Sequence, residues 1–170
     1  MLLPHYTLRC PTPADADACH AIETSAYEGD EAATLEKIAL RIRQYPAGFM
    51  LLEIDGRIAG FINSGCADQV ALSDTAFKEL VGHHPDGRHV VIMSVVIHPD
   101  FQGQGLAAIL LHNFILRMRR LGKHSILLVC RQQHIALYER FGFGYVQPSE
   151  SAYGGHAWHE MVLQLRGQPG

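Results

Sequence analysis

The stretch His98-Pro99-Asp100-Phe101-Gln102-Gly103-Gln104-Gly105-Leu106-Ala107 decides the fold, because it joins two segments of different periodicity. Upstream, Val90 to Ile97 is an almost unbroken β-branched run, the pattern of a central strand buried on both faces. Downstream, apolar residues recur at helical spacing from about Gln104 to Leu121, with Ala107, Leu111, Phe114 and Met118 on one face. Small residues in the joining turn leave room for a close backbone approach. They lead into a helix N-terminus, with its free N–H groups and positive dipole end. Those are the requirements for holding a pyrophosphate. The same glycines also suit a tight strand-to-helix turn without a ligand, and both readings stand at this point.

Working outward toward the N-terminus, Ile58 to Ile62 and Phe49 to Ile54 flank Asp55-Gly56, a tight-turn pair that predicts a hairpin. Before it lies a helix starting near Asp30 as N-cap, with Leu35, Ile38 and Ile42 at helical spacing and Pro46-Ala47-Gly48 as its stop. An earlier helix runs from about Ala14 to Ser25, and Tyr6 to Cys10 is a short strand. Between the hairpin and the central strand, Asp68 to Gly87 is polar and irregular, with one helical turn around Thr75 to Leu80. Toward the C-terminus, Ser125 to Cys130 reads as a buried strand and His134 to Phe141 as a short helix. The last strands are Gly144 to Gln147 and His159 to Leu165. The order β-α-α-β-β-β-α-β-α-β-β implies an α/β fold, a mixed sheet with helices on both faces, in a single domain spanning residues 1–170.

Composition narrows the functional classes. With 48% hydrophobic and 18% charged residues the chain is globular, and its 170 residues suffice for a core. A formal net charge of -3 gives no electrostatic footprint for nucleic acid or an anionic membrane. The four cysteines, Cys10, Cys19, Cys66 and Cys130, show no C-x-x-C spacing and read as reduced thiols of a cytoplasmic protein. Met1 to His5 has neither the length nor the basicity of a signal peptide, and no apolar run approaches membrane-spanning length.

A second element is Ala136-Leu137-Tyr138-Glu139-Arg140-Phe141-Gly142-Phe143. Leu137 and Phe141, four apart, share one face of the short helix and Tyr138 points elsewhere. A tyrosine there is either an amphipathic core residue or a functional hydroxyl. Together the two elements resemble the GNAT superfamily of acetyltransferases. Its phosphate loop, Gln/Arg-x-x-Gly-x-Gly/Ala, is matched by Gln102 through Ala107. Its Ala-x-x-Leu-Tyr helix before Gly-Phe has a close variant in Ala136, Leu137, Tyr138, Gly142 and Phe143. Within that superfamily the chain looks most like the arylalkylamine N-acetyltransferase group, through His84-Pro85-Asp86-Gly87-Arg88-His89, Val95-Val96-Ile97-His98 and Tyr138 to Phe143. It departs from that group at Val91 and Met93, where the group carries two proton-relaying histidines on the central strand.

The resemblance implies an acetyl-CoA-dependent N-acetyltransferase acting by direct attack of an amine on the thioester. Main-chain groups of Val95, Val96 and Ile97 would meet the pantetheine arm. Gln102, Gly103, Gln104, Gly105, Leu106, Ala107 and Ala108 would form the pyrophosphate site, and Tyr138 would sit near the sulfur and protonate the leaving thiolate. The base is open. His89 falls in the matched segment and Ser94 lies on the central strand; Glu28, Asp30, Glu31 and Asp68 read equally as cap or turn residues. His83, His84 and His89 do not complete a metal ligand set, so no metal is expected. The expected partners are acetyl-CoA and a small, apolar amine, in a monomer or homodimer without nucleic acid or membrane. Two alternatives are a protein N-terminal or lysine acetyltransferase and a non-catalytic acyl-CoA-binding module.

Overall fold

The structure is a computed structural model that describes residues 5–70, 72, 75–151 and 153–166. Among these the elements run β1 (Tyr6–Arg9), α1 (Ala16–Ala26), α2 (Leu35–Gln44), β2 (Met50–Ile54), β3 (Arg57–Ala67), β4 (His89–Ile97), α3 (Leu106–Arg120), β5 (Ser125–Cys130), α4 (Ile135–Arg140), β6 (Gly144–Pro148) and β7 (His159–Gln164). The strands form one seven-stranded mixed sheet in the order β1-β2-β3-β4-β5-β7-β6. This is the α/β element order expected from the sequence. By packing, the chain falls into two compact units, Met1–Ser64 with Ser94–Phe114 and Gly65–Met93 with Ile115–Gly170.

In the first unit β1, β2 and β3 pair antiparallel. The β2–β3 turn has Asp55 at φ 52° and Gly56 at φ 77°, the two left-handed residues that a two-residue hairpin loop requires. Cys19 and Ile22 of α1, Ile38 and Ile42 of α2, Phe49, Leu51, Phe61 and Val96 form the core. The Phe49 and Phe61 rings lie 5.4 Å apart. Neighbouring strand residues point to opposite faces. Val96 therefore meets α1 and α2, while Ile97 turns to the other face, where it and Leu110 of α3 crowd Gly60. A Cβ on Gly60 would lie 2.7 Å from both the Ile97 side chain and the Val96 carbonyl. Helices thus cover both faces of the sheet in this unit.

Two helix starts differ from the sequence expectation. The second helix begins at Leu35, where the Thr34 hydroxyl accepts from the Lys37 N–H at 3.2 Å, and not near Asp30. Gly29–Glu31 is a 3-10 turn instead, with Gly29 at φ 56°, and the Asp30 side chain lies outside the described part. The α3 helix begins at Leu106 rather than Gln104, because Gly105 sits at φ 77° and a left-handed residue cannot continue a right-handed helix.

In the second unit β5 pairs with β7, and β7 with β6, both antiparallel. The parallel β4–β5 ladder runs from His89↔Ser125 to Val91↔Leu127. The segment from Asp68 to Gly87 carries the expected helical turn as a 3-10 turn, Thr75–Glu79; positions 71, 73 and 74 lie outside the described residues. Phe77, Leu80 and Met93 converge on Gly65, each with an atom 3.0–3.1 Å from where its Cβ would be. The base of the segment is pinned. His84 N–H donates to the Cys66 carbonyl at 2.8 Å, and Cys66 N–H donates to His83 Nδ1 at 2.9 Å. Arg88 reaches the Asp68 carboxylate through its backbone N–H at 3.1 Å and its side chain at 3.3 Å. Lys123, buried, donates through Nζ to the Pro85 and Gly87 carbonyls. No helix among the described residues is long and apolar enough to cross a membrane.

Candidate active site

The β4–α3 connection folds as its sequence demands. His98 N–H donates to the Ala59 carbonyl at 2.7 Å, and Pro99–Phe101 makes a 3-10 turn capped by His98 Nδ1, which accepts from Asp100 N–H at 2.9 Å. Gln102 Nε2 donates back to the Ile97 carbonyl at 3.4 Å. Gly103 at φ 79° and Gly105 at φ 77° then turn the chain into α3. Gln102 to Gly105 are exposed, Leu106 is buried, and Ala107 and Ala108 are half-buried. At neither glycine would a Cβ meet any atom within 4 Å. The loop is therefore an open, exposed surface leading onto the first N–H groups of a 15-residue helix, which have no intrahelical acceptors. That is a fit for an anion such as a pyrophosphate.

Val95, Val96 and Ile97 end β4 just before this loop. Val96 is buried in the core, and the Val95 carbonyl accepts from the Tyr27 hydroxyl at 3.3 Å. Burial raises the Tyr27 phenol above its ordinary range, with the nearby Glu23 charge acting the same way, so the hydroxyl stays a donor. One residue earlier, Ser94 is buried, and its hydroxyl donates to Glu23 Oε2 at 3.2 Å. Glu23, only 1% exposed, also accepts from the Ala33 N–H at 2.8 Å through the same oxygen. Arg41 and Asn63 join this polar island, Arg41 Nη1 donating to Asn63 Oδ1 at 3.4 Å. Burial pulls the Arg41 guanidinium down to about 10 against the opposing pull of Glu23.

Glu23 is the residue that sequence reasoning missed. The signal was there: Cys19, Ile22 and Glu23 share one face of α1, so an acid sits on the apolar stripe. The acids weighed instead are turn residues. Glu28 and Glu31 cap the 3-10 turn, and Asp68, exposed, is lowered first by the Arg88 N–H and then by the Arg88 charge.

The second unit holds the other two expected residues. His89, half-buried at the first rung of the β4–β5 ladder, shares a 2.6 Å hydrogen bond through Nδ1 with the Ser125 hydroxyl, and its ring stands edge-on to His124 at 6.2 Å. Tyr138 is buried on α4, 8% exposed, with its ring edge-on to Phe143 at 5.6 Å. Val91 is buried and Met93 half-buried. Burial pushes the Cys19 thiol up to about 12 and the Cys130 thiol up to about 11, which makes both poor nucleophiles. Among the described residues no three His, Cys, Asp or Glu side chains cluster as metal ligands.

Comparison with known proteins gives the family and the fold. Residues 16–143 match the acetyltransferase (GNAT) family. Serotonin N-acetyltransferase of Mesocricetus auratus is 27% identical over 96% of this chain and 80% of its own length. The loading GNATL domain of CurA from Lyngbya majuscula superposes with a TM-score of 0.84 at 20% identity, over 95% of this chain and 98% of that one. YncA from Salmonella typhimurium, solved with its cofactor acetyl-CoA, gives a TM-score of 0.73 at 24% identity, over 98% and 97%.

Proposed function

The chain belongs to the acetyltransferase (GNAT) family, and from that premise we propose that it moves the acetyl group of acetyl-CoA onto a small primary amine with an apolar body. The observation that carries the reading is the loop Gln102–Ala108, two left-handed glycines in open space at the start of α3. Its backbone N–H groups would hold the pyrophosphate, and the main chain of Val95 to Ile97 would guide the pantetheine arm. The amine attacks the thioester carbon directly. The C–N bond forms, the C–S bond breaks, and backbone N–H groups beside the thioester oxygen stabilise the charge that develops there.

Two protons must move. An alkylamine resembles lysine, so freeing its lone pair at pH 7 costs roughly 4.6 kcal/mol. Glu23 is the proposed proton acceptor, acting through the Ser94 hydroxyl it binds; both side chains are removed from bulk water, and Ser94 is on β4 next to Val95. His89 is a second, peripheral acceptor. Tyr138 gives its hydroxyl proton to the departing thiolate, a role taken from its place in the second motif.

For the acceptor, apolar Val91 and Met93 stand where the arylalkylamine group has histidines. Two apolar side chains in place of two imidazoles suit an apolar body better than a polyamine or an extended peptide. The likeness to serotonin N-acetyltransferase supports the same class. Thiol release from acetyl-CoA across an amine panel tests it. Phenethylamine or tryptamine should exceed spermidine in kcat/KM. A clear preference for spermidine or for peptide N-termini would overturn the acceptor class, and no release with any amine would leave only acyl-CoA binding.

A further inference from the structure

The cofactor loop is held by a residue outside it. Arg57 opens β3 immediately after the Asp55-Gly56 hairpin turn. Its Nη2 donates to Asp100 Oδ2 at 2.9 Å, and its guanidinium carbon lies 4.9 Å from the centre of the Phe101 ring. His98 meets the same ring edge-on at 5.8 Å. Asp100 and Phe101 are the last two residues before Gln102, so this one side chain grips the turn from which the glycine loop departs. The Asp100 carboxyl is lowered first by this hydrogen bond, so it stays ionised and paired at neutral pH.

The turn needs such a grip. On its α1 side it opens onto a cleft of about 590 Å³, lined by Ala21, Ile22, Ser25, Ile58 and Pro99 among others, rather than onto packed core. Apolar packing fixes a backbone position through many close contacts. A turn bordering a cleft lacks them on that side, and a cation joined to both an acid and an aromatic face supplies the constraint instead. A shift of the turn into the cleft would carry Gly103 and Gly105 with it and re-aim the N–H groups at the start of α3.

We infer that Arg57 is a positioning residue for the cofactor loop: it sets the affinity for acetyl-CoA by bracing Asp100 and Phe101, without touching the cosubstrate. The inference rests on the loop being the pyrophosphate site. The brace is exposed, with Arg57 and Asp100 side chains 56% and 61% accessible, so its effect is modest and its loss leaves the fold intact.

The test is calorimetry with CoA and with 3′-dephospho-CoA on wild type, Arg57→Ala, Arg57→Lys, Asp100→Asn and the Arg57→Ala/Asp100→Asn pair, each checked for an unshifted melting curve. Arg57→Ala should weaken both ligands by about threefold to tenfold. Asp100→Asn should weaken them in the same direction, with the pair no worse than Arg57→Ala alone. Lysine, which keeps the charge but not the flat stacking surface, should restore part of the loss. KM for acetyl-CoA should rise by the same factor while kcat at saturation stays within about twofold. Unchanged CoA affinity in Arg57→Ala would overturn the inference. So would a loss for CoA with none for dephospho-CoA, since that marks direct contact with the 3′-phosphate. A wild-type protein that binds no CoA, or a Gly105→Val variant that binds it normally, would instead refute the cofactor loop itself.

Discussion

Replacing Gly105 by valine tests the cofactor loop most directly. Gly105 sits at φ 77°, and an L residue forced into that region costs about 1–2 kcal/mol, with a β-branched side chain at the upper end. No steric clash adds to this, because the new Cβ would meet no atom within 4 Å. For a chain of this size the strain alone lowers Tm by about 2–8 °C, which leaves the protein folded at 25 °C. The same open space is where a pyrophosphate would have to approach the backbone, and the valine methyls would occupy it. CoA affinity should fall by at least about tenfold, or 1.4 kcal/mol. Gly122 supplies the control. It lies past the other end of α3 at φ 76°, again with no atom within 4 Å of a Cβ. Gly122→Val imposes a matching strain without touching the loop, so it should lower Tm and leave CoA binding unchanged. Calorimetry and thermal melts on the two variants read both quantities. A folded Gly105→Val protein with wild-type affinity would remove the phosphate assignment. Equal losses in both variants would trace the effect to strain rather than to the loop.

Tyr138→Phe keeps the buried ring and deletes the hydroxyl. Because a thiol with pKa of about 8.5 leaves partly unaided, kcat should fall near the small end of the range for acid catalysis, about 10²-fold, with acetyl-CoA binding retained. Wild-type turnover at every pH would refute the role. Glu23→Gln keeps an oxygen for Ala33 N–H and Ser94 but removes the charge. Turnover at pH 7 should drop by about 10²-fold or more, and the deficit should shrink as pH rises and the amine deprotonates unaided; a normal rate at pH 7 would return the role to His89 or another group. Stability should depend on pH through His83. Burial and then the Lys123 charge hold its pKa below the ordinary imidazole value of about 6.5, and its neutral Nδ1 accepts from Cys66 N–H. The stability tied to neutral His83 is present above pH 6.5 and is lost as pH falls through the depressed folded value. His83→Asn, which keeps an acceptor but cannot titrate, should lose less Tm than wild type between pH 7.5 and 5, and parallel curves would exclude His83 as a source.

Local rules carried the sequence reading where one residue decides a conformation. Asp55-Gly56 announced its hairpin because the turn accepts few other pairs, and Gly103 and Gly105 marked the loop for the same reason. The same chemistry misplaced two helix starts. Apolar spacing extended α3 back to Gln104, across a glycine whose φ ends the helix, and the cap-forming side chain of Asp30 drew the start of α2 to it, when Thr34 is the cap. Glu23 was passed over because an acid on a helix ordinarily faces water. Its burial depends on Ser94 and Ala33, which lie 71 and 10 residues away in sequence, and no local pattern reports that pairing. The insertion of β7 between β5 and β6 was likewise invisible, since strand order is set by long-range packing rather than by alternation within a strand.

The pinned base of the Asp68–Gly87 segment changes what that segment can tolerate. Closing a loop is an entropic cost that grows only slowly with its length. Here the closure is made by Cys66 with His83 and His84 and by Asp68 with Arg88, with Lys123 gripping Pro85 and Gly87 from outside. Exposed positions such as Glu79, Val81 and Asp86 can change without disturbing these anchors, whereas changes at Phe77, Leu80, His83 or His84 reach β3 through Gly65 and Cys66. The segment is therefore a clipped bridge rather than a free insertion: its exposed positions can drift, while the side chains that return to β3 stay under selection for packing.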